Sequence, residues 1–294
     1  MIDLHMHTKY SDGTDECIEI LKKAEKKQLS YISITDHNNC DAYNELSKID
    51  IKKFYSGKII TGIELNTKIL GIPIEILGYG INPKKMNELT KKNYVSNAER
   101  NQIEVERLYE KCLKEGIILE DDFIKNYNPE MYASKYLHHF ITKNSNNKKL
   151  IDQESWENSN IFYRKYMSNP STIFFVDTSD ILPDFDKATN LIKEAGGLVF
   201  VPHIYEYRDN AEPILKEIMR KNCIDGIECY YTTFSNEQHE NLMKICRSEK
   251  IFMSGGSDYH GKFKKDVDMG SGKGNLEIPE KIIEPWIKKV CNVF

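Results

Sequence analysis

The sequence predicts an α/β fold with a helical insertion in the middle of the chain. Three observations predict it: short apolar β-like runs alternate with helix-like segments in the first 82 residues, the alternation returns after residue 180, and the stretch between them is polar and helical. The 294 residues, 40% hydrophobic and 29% charged, suffice for one α/β barrel with an insertion or for two domains.

The first part of the chain contains four β-like runs, which are Ile2-His5, Tyr31-Thr35, Ile59-Leu65 and Ile72-Gly78. Between the first two, apolar residues recur at helical spacing and predict a crossover helix from Glu16 to Lys27, with Thr14 or Asp15 as its cap. This alternation predicts βα units and a parallel sheet.

The last part contains three further β-like runs, which are Leu198-Pro202, Asp225-Tyr230 and Ile251-Ser254. Helix-like segments over residues 184–195, 211–220 and 236–244 lie between them. Seven strand candidates with interleaved helices favour closure into a barrel, although periodicity alone does not distinguish a barrel from an open sheet.

The middle of the chain has no clear strand pattern and is rich in Asn, Lys and Tyr. We therefore expect residues 84–169 to form a helical insertion over the carboxyl-terminal face of the strands. Residues 1–83 and 170–294 would form the barrel itself.

Composition and charge exclude several classes of function. A net charge of −4 is not the dense positive field that an extended nucleic-acid or membrane surface requires. The lysines from Lys262 to Lys265 are therefore interpreted as solvated surface. No run approaches 18 apolar residues and no leader pattern opens the chain, so we expect a cytoplasmic protein. Seven cysteines without a C-x-x-C pair suggest neither a disulfide framework nor a zinc knuckle.

Histidines and carboxylates cluster at the predicted strands. The positions concerned are His5 and His7 on the first strand, Asp12 on the loop after it, His37 after the second, Glu64 and Glu75 on the third and fourth, His203 after the fifth, and Asp258 and His260 after the seventh. The carboxyl ends of strands meet at one edge of an α/β sheet or barrel, so these side chains should converge. An H-x-H pair on an extended strand points both rings to the same face, where they can bind one ion.

Six motifs carry a family resemblance, in the order DLHMHTKYSDGT, ITDHNN, GIELN, EILGYG, VPHIY and GGSDYHG. The chain resembles the polymerase and histidinol phosphatase (PHP) family of metal-dependent phosphoesterases. The resemblance implies a distorted (β/α)7 barrel with two or three divalent ions, of Mn, Fe or Zn, with Mg as a further option. It implies one ion on His5, His7 and Asp258, a second on Glu75 and His203 with Glu64 bridging the two, and a third on Asp12, His37 and His260.

The motif spacing is most similar to the subgroup that acts on nucleoside 5′-phosphates, 3′,5′-bisphosphates and RNA 5′ ends. The resemblance thus implies a small phosphorylated substrate, such as a nucleotide or a short RNA 5′ end, with no membrane partner. Its phosphate monoester would be hydrolysed by a hydroxide that bridges two ions. We predict Asp258, His260 and Glu64 as the catalytic residues.

Three positions depart from the subgroup pattern. Glu75 replaces a usual histidine, which should suit harder ions such as Mn²⁺ or Fe²⁺. The stretch MYASKYLHHF has Lys135 and Leu137 where the subgroup has Arg-x-His, and Pro202 precedes His203 instead of following it. We predict four residues for binding the substrate's phosphate, namely Arg100, Lys135, His138 and Arg208.

Three alternatives stay open at this point. One is a histidinol-phosphate phosphatase. Another is an amidohydrolase-like enzyme that hydrolyses a carbon centre, and the last is a catalytically silent metal-binding module. Glu228 and Tyr259 also lie near strand ends, and we interpret them as structural support.

Overall fold

A computed structural model describes residues 1–120, 122–129 and 131–294, and within them it has eight strands. The strands are β1 (Ile2–Asp3), β2 (Tyr31–Ile32), β3 (Lys58–Ile59), β4 (Gly62–Ile69), β5 (Ile72–Tyr79), β6 (Leu198–Val201), β7 (Gly226–Tyr231) and β8 (Phe252–Gly256). All seven predicted runs contain a strand, and the predicted run Ile59-Leu65 contains parts of two. The fold is a mixed α/β fold.

The strands form two sheets. β1, β2 and β3 make a parallel three-stranded sheet in that order, and β4 to β8 make a five-stranded sheet in sequence order. Isolated backbone bridges pair Met6 with Tyr259 and His37 with Glu64. The polar segments that follow β1, β2 and β8 are therefore held beside one another and beside β4.

The prediction of an all-parallel sheet is wrong for two strand pairs, because β5 runs antiparallel to both β4 and β6. β4 and β5 are joined by only Leu70 and Gly71, whose φ angles are 53° and 76°. A two-residue connection with positive φ at both positions makes a tight hairpin, whereas a parallel pair needs a much longer crossover.

Helices lie between most of the strands. They are α1 (Cys17–Lys26), α2 (Asp41–Leu46), α3 (Pro83–Asn93), α4 (Asn97–Lys114), α5 (Ala133–Lys143), α6 (Gln153–Glu157), α7 (Ser159–Phe162), α8 (Phe185–Glu194), α9 (Ala211–Lys221), α10 (Asn236–Glu249) and α11 (Glu284–Ile287). The predicted caps of α1 are wrong: Glu16 caps this helix through a reciprocal bond with Glu19, while Asp15 pairs with Lys23.

The chain divides into two compact units. The first comprises residues 1–94 and 182–294, and the second comprises residues 95–181. In the first unit the apolar faces of α1, α8 and α9 are buried in one large core with the strands. A second core of this unit includes Trp286, whose indole N–H donates to the carbonyl of Met253.

The second unit has its own apolar core. It is built around Leu108, Phe123, Phe140 and Phe162, and the described residues of the unit contain no strand, as the sequence predicted. The predicted insertion, residues 84–169, overlaps this unit, but α3 belongs to the first unit and buries Met86 in its core. Among the described residues, no helix is both long enough and apolar enough to span a membrane.

Candidate metal centre

His5 and His7 follow β1, and both rings are completely buried. His5 Nε2 lies 3.2 Å from Glu64 Oε2 and 3.5 Å from Asp258 Oδ1. His7 Nε2 lies 3.2 Å and 3.3 Å from the same two oxygens. The two histidines of the H-x-H motif thus present the same ring nitrogen to the same pair of carboxylates, as alternation along an extended segment requires.

Glu64 lies at the centre of the cluster, on β4. Besides its contacts with His5 and His7, its Oε1 lies 3.0 Å from His203 Nε2 and its Oε2 lies 3.5 Å from His37 Nδ1. One carboxylate therefore faces four imidazoles that come from three separate parts of the chain. The parallel bridge between His37 and Glu64 brings the segment after β2 to this strand.

Asp12 forms the other side of the cluster, on the loop after β1. Its Oδ2 lies 3.2 Å from His260 Nε2 and 3.7 Å from His37 Nε2. The loop is held by Asp36, whose carboxylate accepts hydrogen bonds from the backbone and hydroxyl of Thr8 and from the hydroxyl of Ser11. This network anchors the polar loop beside the histidines.

Glu75 points into the same cluster from the middle of β5. Its Oε2 lies 3.4 Å from His203 Nε2 and its Oε1 lies 3.9 Å from His37 Nδ1. Burial, and next the charge of Glu64, raise the pKa of the Glu75 carboxyl. The carboxylate of Glu75 thus lies beside two further predicted ligands, His37 and His203.

The residues of the cluster fit divalent cations on two counts. Several buried polar atoms of this set lack a hydrogen-bond partner within the described part of the chain, namely His5 Nε2, His7 Nε2, Asp12 Oδ1, His37 Nδ1 and His203 Nδ1. Unpartnered buried polar atoms are rare unless they have a function. Imidazole and carboxylate together are also the donor set of Zn, Mn and Fe sites.

The candidate ligands form three groups, and within each group the ligand atoms all lie within 4.8 Å of one another. The groups are His7, Asp12, His37 and His260; His5, His7 and Glu64; and His37, Glu64 and Glu75. These groups contain seven of the nine residues that the sequence singled out as metal ligands, and Asp258 and His203 lie within 3.3 Å of His7 and 3.0 Å of Glu64, respectively, so all nine lie in one connected cluster. Its members are shared between groups, so the division into ions that the resemblance implies stays a prediction.

The charges in the cluster shift its pKa values strongly. Burial disfavours a charged imidazole, yet the neighbouring carboxylates of Asp258 and Glu64 raise the pKa of His7 to about 10. Burial is likewise outweighed at His203, where Glu64 and Glu75 raise the pKa to about 9. At Glu64, the charges of His5 and His37 outweigh burial and hold the pKa of the carboxyl well below its usual range. A divalent cation would replace the protons that these histidines otherwise hold.

Two residues of the cluster have left-handed backbone conformations, which residues other than glycine rarely adopt. His203 has φ 26° and Asp258 has φ 56°. Left-handed backbone at a residue other than glycine costs on the order of 1 kcal/mol and persists where the surrounding structure enforces it.

Glu228, interpreted from the sequence as structural support, orients two members of the cluster. It lies on β7 and is completely buried. Its Oε1 is 3.0 Å from His5 Nδ1, and its Oε2 accepts the backbone N–H of His203 at 2.9 Å. An ionised carboxylate only accepts hydrogen bonds, so His5 donates from Nδ1 and keeps the Nε2 lone pair for an ion.

We expect Glu228→Gln to weaken Mn²⁺ binding by about 10- to 100-fold, because the amide can donate to His5 Nδ1 and so favour the tautomer whose Nε2 carries the proton. Mn²⁺ titration by calorimetry measures this effect. Glu240→Gln, an exposed change on α10, is the matched control. Equal Mn²⁺ affinity of Glu228→Gln and wild type would show that the contact does not orient His5.

The four predicted phosphate-binding residues are divided between the two units, three in the second and one in the first. Arg100 on α4 is partly buried and Lys135 on α5 is exposed, with Nζ 5.5 Å from the ring centre of Tyr132. His138 has its Nε2 2.9 Å from the carbonyl oxygen of Ser155. Arg208 belongs to the first unit and is exposed on the 3₁₀ segment Ile204–Asn210.

Lys264 is a cation of the cluster that the sequence interpretation missed. Its amine donates to Asp258 Oδ2, although the run of lysines around it was assigned to solvated surface. A lysine six residues after an aspartate has no distinctive spacing, so no signal in the sequence separated it from its neighbours.

Comparison with known proteins gives one family match and several full-length relatives. Residues 3–246 match the family profile described as PHP domain. The chain is 23% identical to a 5′-3′ exoribonuclease of Haemophilus influenzae, with 97% of this chain and 98% of the relative aligned. It is 23% identical to a 3′,5′-nucleoside bisphosphate phosphatase of Chromobacterium violaceum, covering 92% of this chain and 90% of the relative.

A third relative has a different named activity. It is a phosphoribosyl 1,2-cyclic phosphate 1,2-diphosphodiesterase of Eggerthella lenta, 20% identical over 91% of this chain and 97% of the relative. All three alignments run over nearly the whole of both proteins, so the likeness includes the part of the chain between residues 95 and 181.

Two solved structures share the fold. One, from Bifidobacterium adolescentis and provisionally described as a metal-dependent phosphoesterase, aligns with a TM-score of 0.71 at 19% identity, covering 99% of this chain and 96% of the other. Another, described as an amidohydrolase from Chromobacterium violaceum with bound sulfate and no metal, aligns with a TM-score of 0.68 at 19% identity, covering 92% and 89%.

Proposed function

The chain belongs to the PHP domain family and is a phosphoric ester hydrolase. From this premise we propose that it removes the phosphate of a nucleotide or of a similar small phosphate monoester. Two or three divalent ions would assist this hydrolysis. The observation that carries the proposal is the position of Glu64, whose two carboxylate oxygens face four imidazoles while Asp258 and Glu75 flank it. One carboxylate so surrounded suits a bridge between ions.

The roles of the residues follow from their contacts. His5, His7 and Asp258 would hold one ion, His203 and Glu75 a second, and Asp12, His37 and His260 a third, with Glu64 between the first two. Bound divalent ions would supply an acidified water and would offset the charge that develops on the phosphate oxygens. Asp258, His260 and Glu64 act in catalysis by holding the ions in their positions.

The charge of the cluster supports a phosphate substrate. Three divalent ions carry two more positive charges than the four carboxylates Asp12, Glu64, Glu75 and Asp258 carry negative ones, so the loaded site still attracts a phosphate dianion. Glu75 makes the donor set richer in oxygen, which favours Mn²⁺, Fe²⁺ or Mg²⁺ over metals that prefer thiolate.

We also infer that the two sheets form the distorted (β/α)7 barrel. The bridge between Met6 and Tyr259 joins the β1 edge to the β8 edge, and the bridge between His37 and Glu64 joins the first sheet to β4. If β3 and β4 count as one bent strand, the strand order has seven members. This arrangement would bring every predicted ligand to one end.

We assign substrate selection to the predicted insertion, residues 84–169. Within the second unit, an open depression of about 370 Å³ is lined by Asn128, Met131, Tyr132 and Lys135. Its aromatic and cationic lining suits a nucleobase or a phosphate. Both candidates on α5 have neighbours in the structure: His138 Nε2 lies 2.9 Å from the carbonyl oxygen of Ser155, and Lys135 lines the depression beside Tyr132.

The substrate class is tested by phosphate release from the Mn²⁺-loaded protein. The panel comprises AMP, adenosine 3′,5′-bisphosphate, a short 5′-phosphorylated RNA, histidinol phosphate and phosphoribosyl 1,2-cyclic phosphate. The cyclic ester opens without releasing phosphate, so it is followed by chromatography. We expect kcat/KM to be at least about 10-fold higher for the bisphosphate or the RNA than for histidinol phosphate, since one extra charged contact contributes about that much.

The other outcomes point to other enzymes. Selective turnover of histidinol phosphate would assign the chain to the alternative phosphatase, and selective opening of the cyclic ester would make it a phosphodiesterase. If no phosphate ester of the panel reacts while an amide or lactone does, the amidohydrolase alternative replaces our proposal. Full metal occupancy without any turnover would identify a silent metal-binding module.

A further inference from the structure

The inference concerns Lys264, and it rests on the proposed phosphate substrate. Lys264 ends the 3₁₀ turn Gly261–Lys264, which follows the candidate ligand His260 directly. Its amine donates to Asp258 Oδ2, whereas Asp258 Oδ1 faces His5, His7 and His260. A fixed positive charge therefore lies at the edge of the ligand cluster, independent of any ion.

Orientation of Asp258 does not require this lysine. The phenol of Tyr231 donates to the same oxygen, Asp258 Oδ2, at 2.8 Å, and Tyr231 is itself buried. With Oδ2 already held by a buried hydroxyl, the amine of Lys264 is not needed to orient Asp258, and it can serve a second partner.

The turn that carries Lys264 is anchored to the loop that carries Asp12. The backbone N–H of Lys262 donates to Thr14 Oγ1 at 2.9 Å. Gly261 has φ 65°, and a Cβ there would come within 2.1 Å of the same hydroxyl oxygen. The close approach fixes the turn against the metal-centre loop, so the amine is placed before any substrate binds.

The lysine also remains accessible. Its side chain keeps 28% of its surface exposed, in contrast to 8% for Asp258. An ammonium group has three N–H donors, and within the described part of the chain Asp258 accepts from only one of them. Two donors are thus available to a ligand that reaches the cluster from solvent.

We propose that Lys264 binds a non-bridging oxygen of the substrate's phosphate while it keeps its hydrogen bond to Asp258. It would thereby place the phosphorus beside the ions and stabilise negative charge on the phosphate in the transition state. A lysine acts here as a point charge, which suits a phosphate whose other oxygens face the ions.

The test separates phosphate binding from metal binding, with inorganic phosphate as the probe. Phosphate affinity of Lys264→Met is measured by calorimetry at saturating Mn²⁺, and Mn content is measured by mass spectrometry. We expect wild-type Mn content, phosphate affinity lowered by about 10-fold or more, and partial recovery of affinity in Lys264→Arg. Lys265→Met removes the same charge from an exposed neighbour and should leave both quantities unchanged.

Two results would overturn the inference. One is wild-type phosphate affinity of Mn²⁺-saturated Lys264→Met, with or without a loss of Mn content, because Lys264 would then serve only Asp258. The other is an equal loss of phosphate affinity in Lys265→Met, which would reflect general charge rather than a contact. Phosphate binding is measured without turnover, so wild-type protein that binds phosphate but hydrolyses no ester would contradict the proposed function and leave this inference standing.

Discussion

Glu64→Gln is expected to lower kcat/KM for phosphate release by at least about 10³-fold, more than the 10- to 100-fold typical of residues that only orient a ligand. The substitution keeps the size of the side chain and one carbonyl oxygen, but it removes the charge that faces His5, His7, His37 and His203. We also expect the loss of at least one bound ion per chain. Phosphate release and Mn content, measured together on the same preparation, check both.

The control for this change is Glu88→Gln, which makes the same substitution at an exposed position of α3. It should retain wild-type activity and Mn content. Turnover of Glu64→Gln within tenfold of wild type would exclude Glu64 as a bridging ligand and would remove the main support of the proposed function.

Asp258→Ala is expected to abolish detectable phosphate release with little loss of fold. The change removes the oxygen that lies within 3.5 Å of His5 and 3.3 Å of His7 and so removes a predicted ligand. It also removes the partner of Tyr231 and places alanine at φ 56°, which together cost on the order of 2 kcal/mol. Activity and the thermal midpoint of the metal-free protein are measured for the variant.

Asp258→Asn separates the ligand charge from these structural effects. Asparagine adopts left-handed backbone readily and keeps an acceptor for Tyr231, so the fold should be retained. Activity should still fall by about 10² or more, because a neutral amide is a poor ligand for a hard cation. If Asp258→Asn keeps wild-type turnover, the assignment of Asp258 as a ligand is wrong.

The convergence of the site residues was predictable from elementary periodicity. Two histidines two residues apart on an extended segment must share a face, and carboxyl ends of neighbouring strands must meet, so His5, His7 and Asp258 could be placed together without a structure. The same rule brought His203 into the cluster, because its segment follows an apolar run that was predicted as a strand. These arguments use side-chain direction alone and need no tertiary energies.

The hairpin at Leu70 could not be recognised by the same means. The run Ile59-Leu65 was interpreted as one strand, but the structure breaks it after Ile59 and continues it to Ile69. Three polar residues, Asn66 to Lys68, follow Leu65, and the turn depends on leucine adopting positive φ, which is uncommon for this residue.

The roles of Glu228 and Lys264 were hidden for a related reason. Each acts through a contact with a residue far along the chain or across a turn: Glu228 with His5, and Lys264 with Asp258 through a turn that Gly261 permits. Glutamate in a buried strand and lysine in a basic run both have common structural explanations. Only the contacts in the folded chain distinguish Glu228 and Lys264 from an ordinary buried glutamate and an ordinary surface lysine.

The left-handed backbone at His203 and Asp258 has a consequence for how this protein can evolve. Substitution by glycine at either position would relieve the backbone strain, yet it would delete a predicted ligand and, at Asp258, the acceptor of the Tyr231 phenol. Relief of strain and retention of the ligand therefore act in opposite directions at these two codons. A descendant released from the need to bind metal would no longer be held to these two side chains.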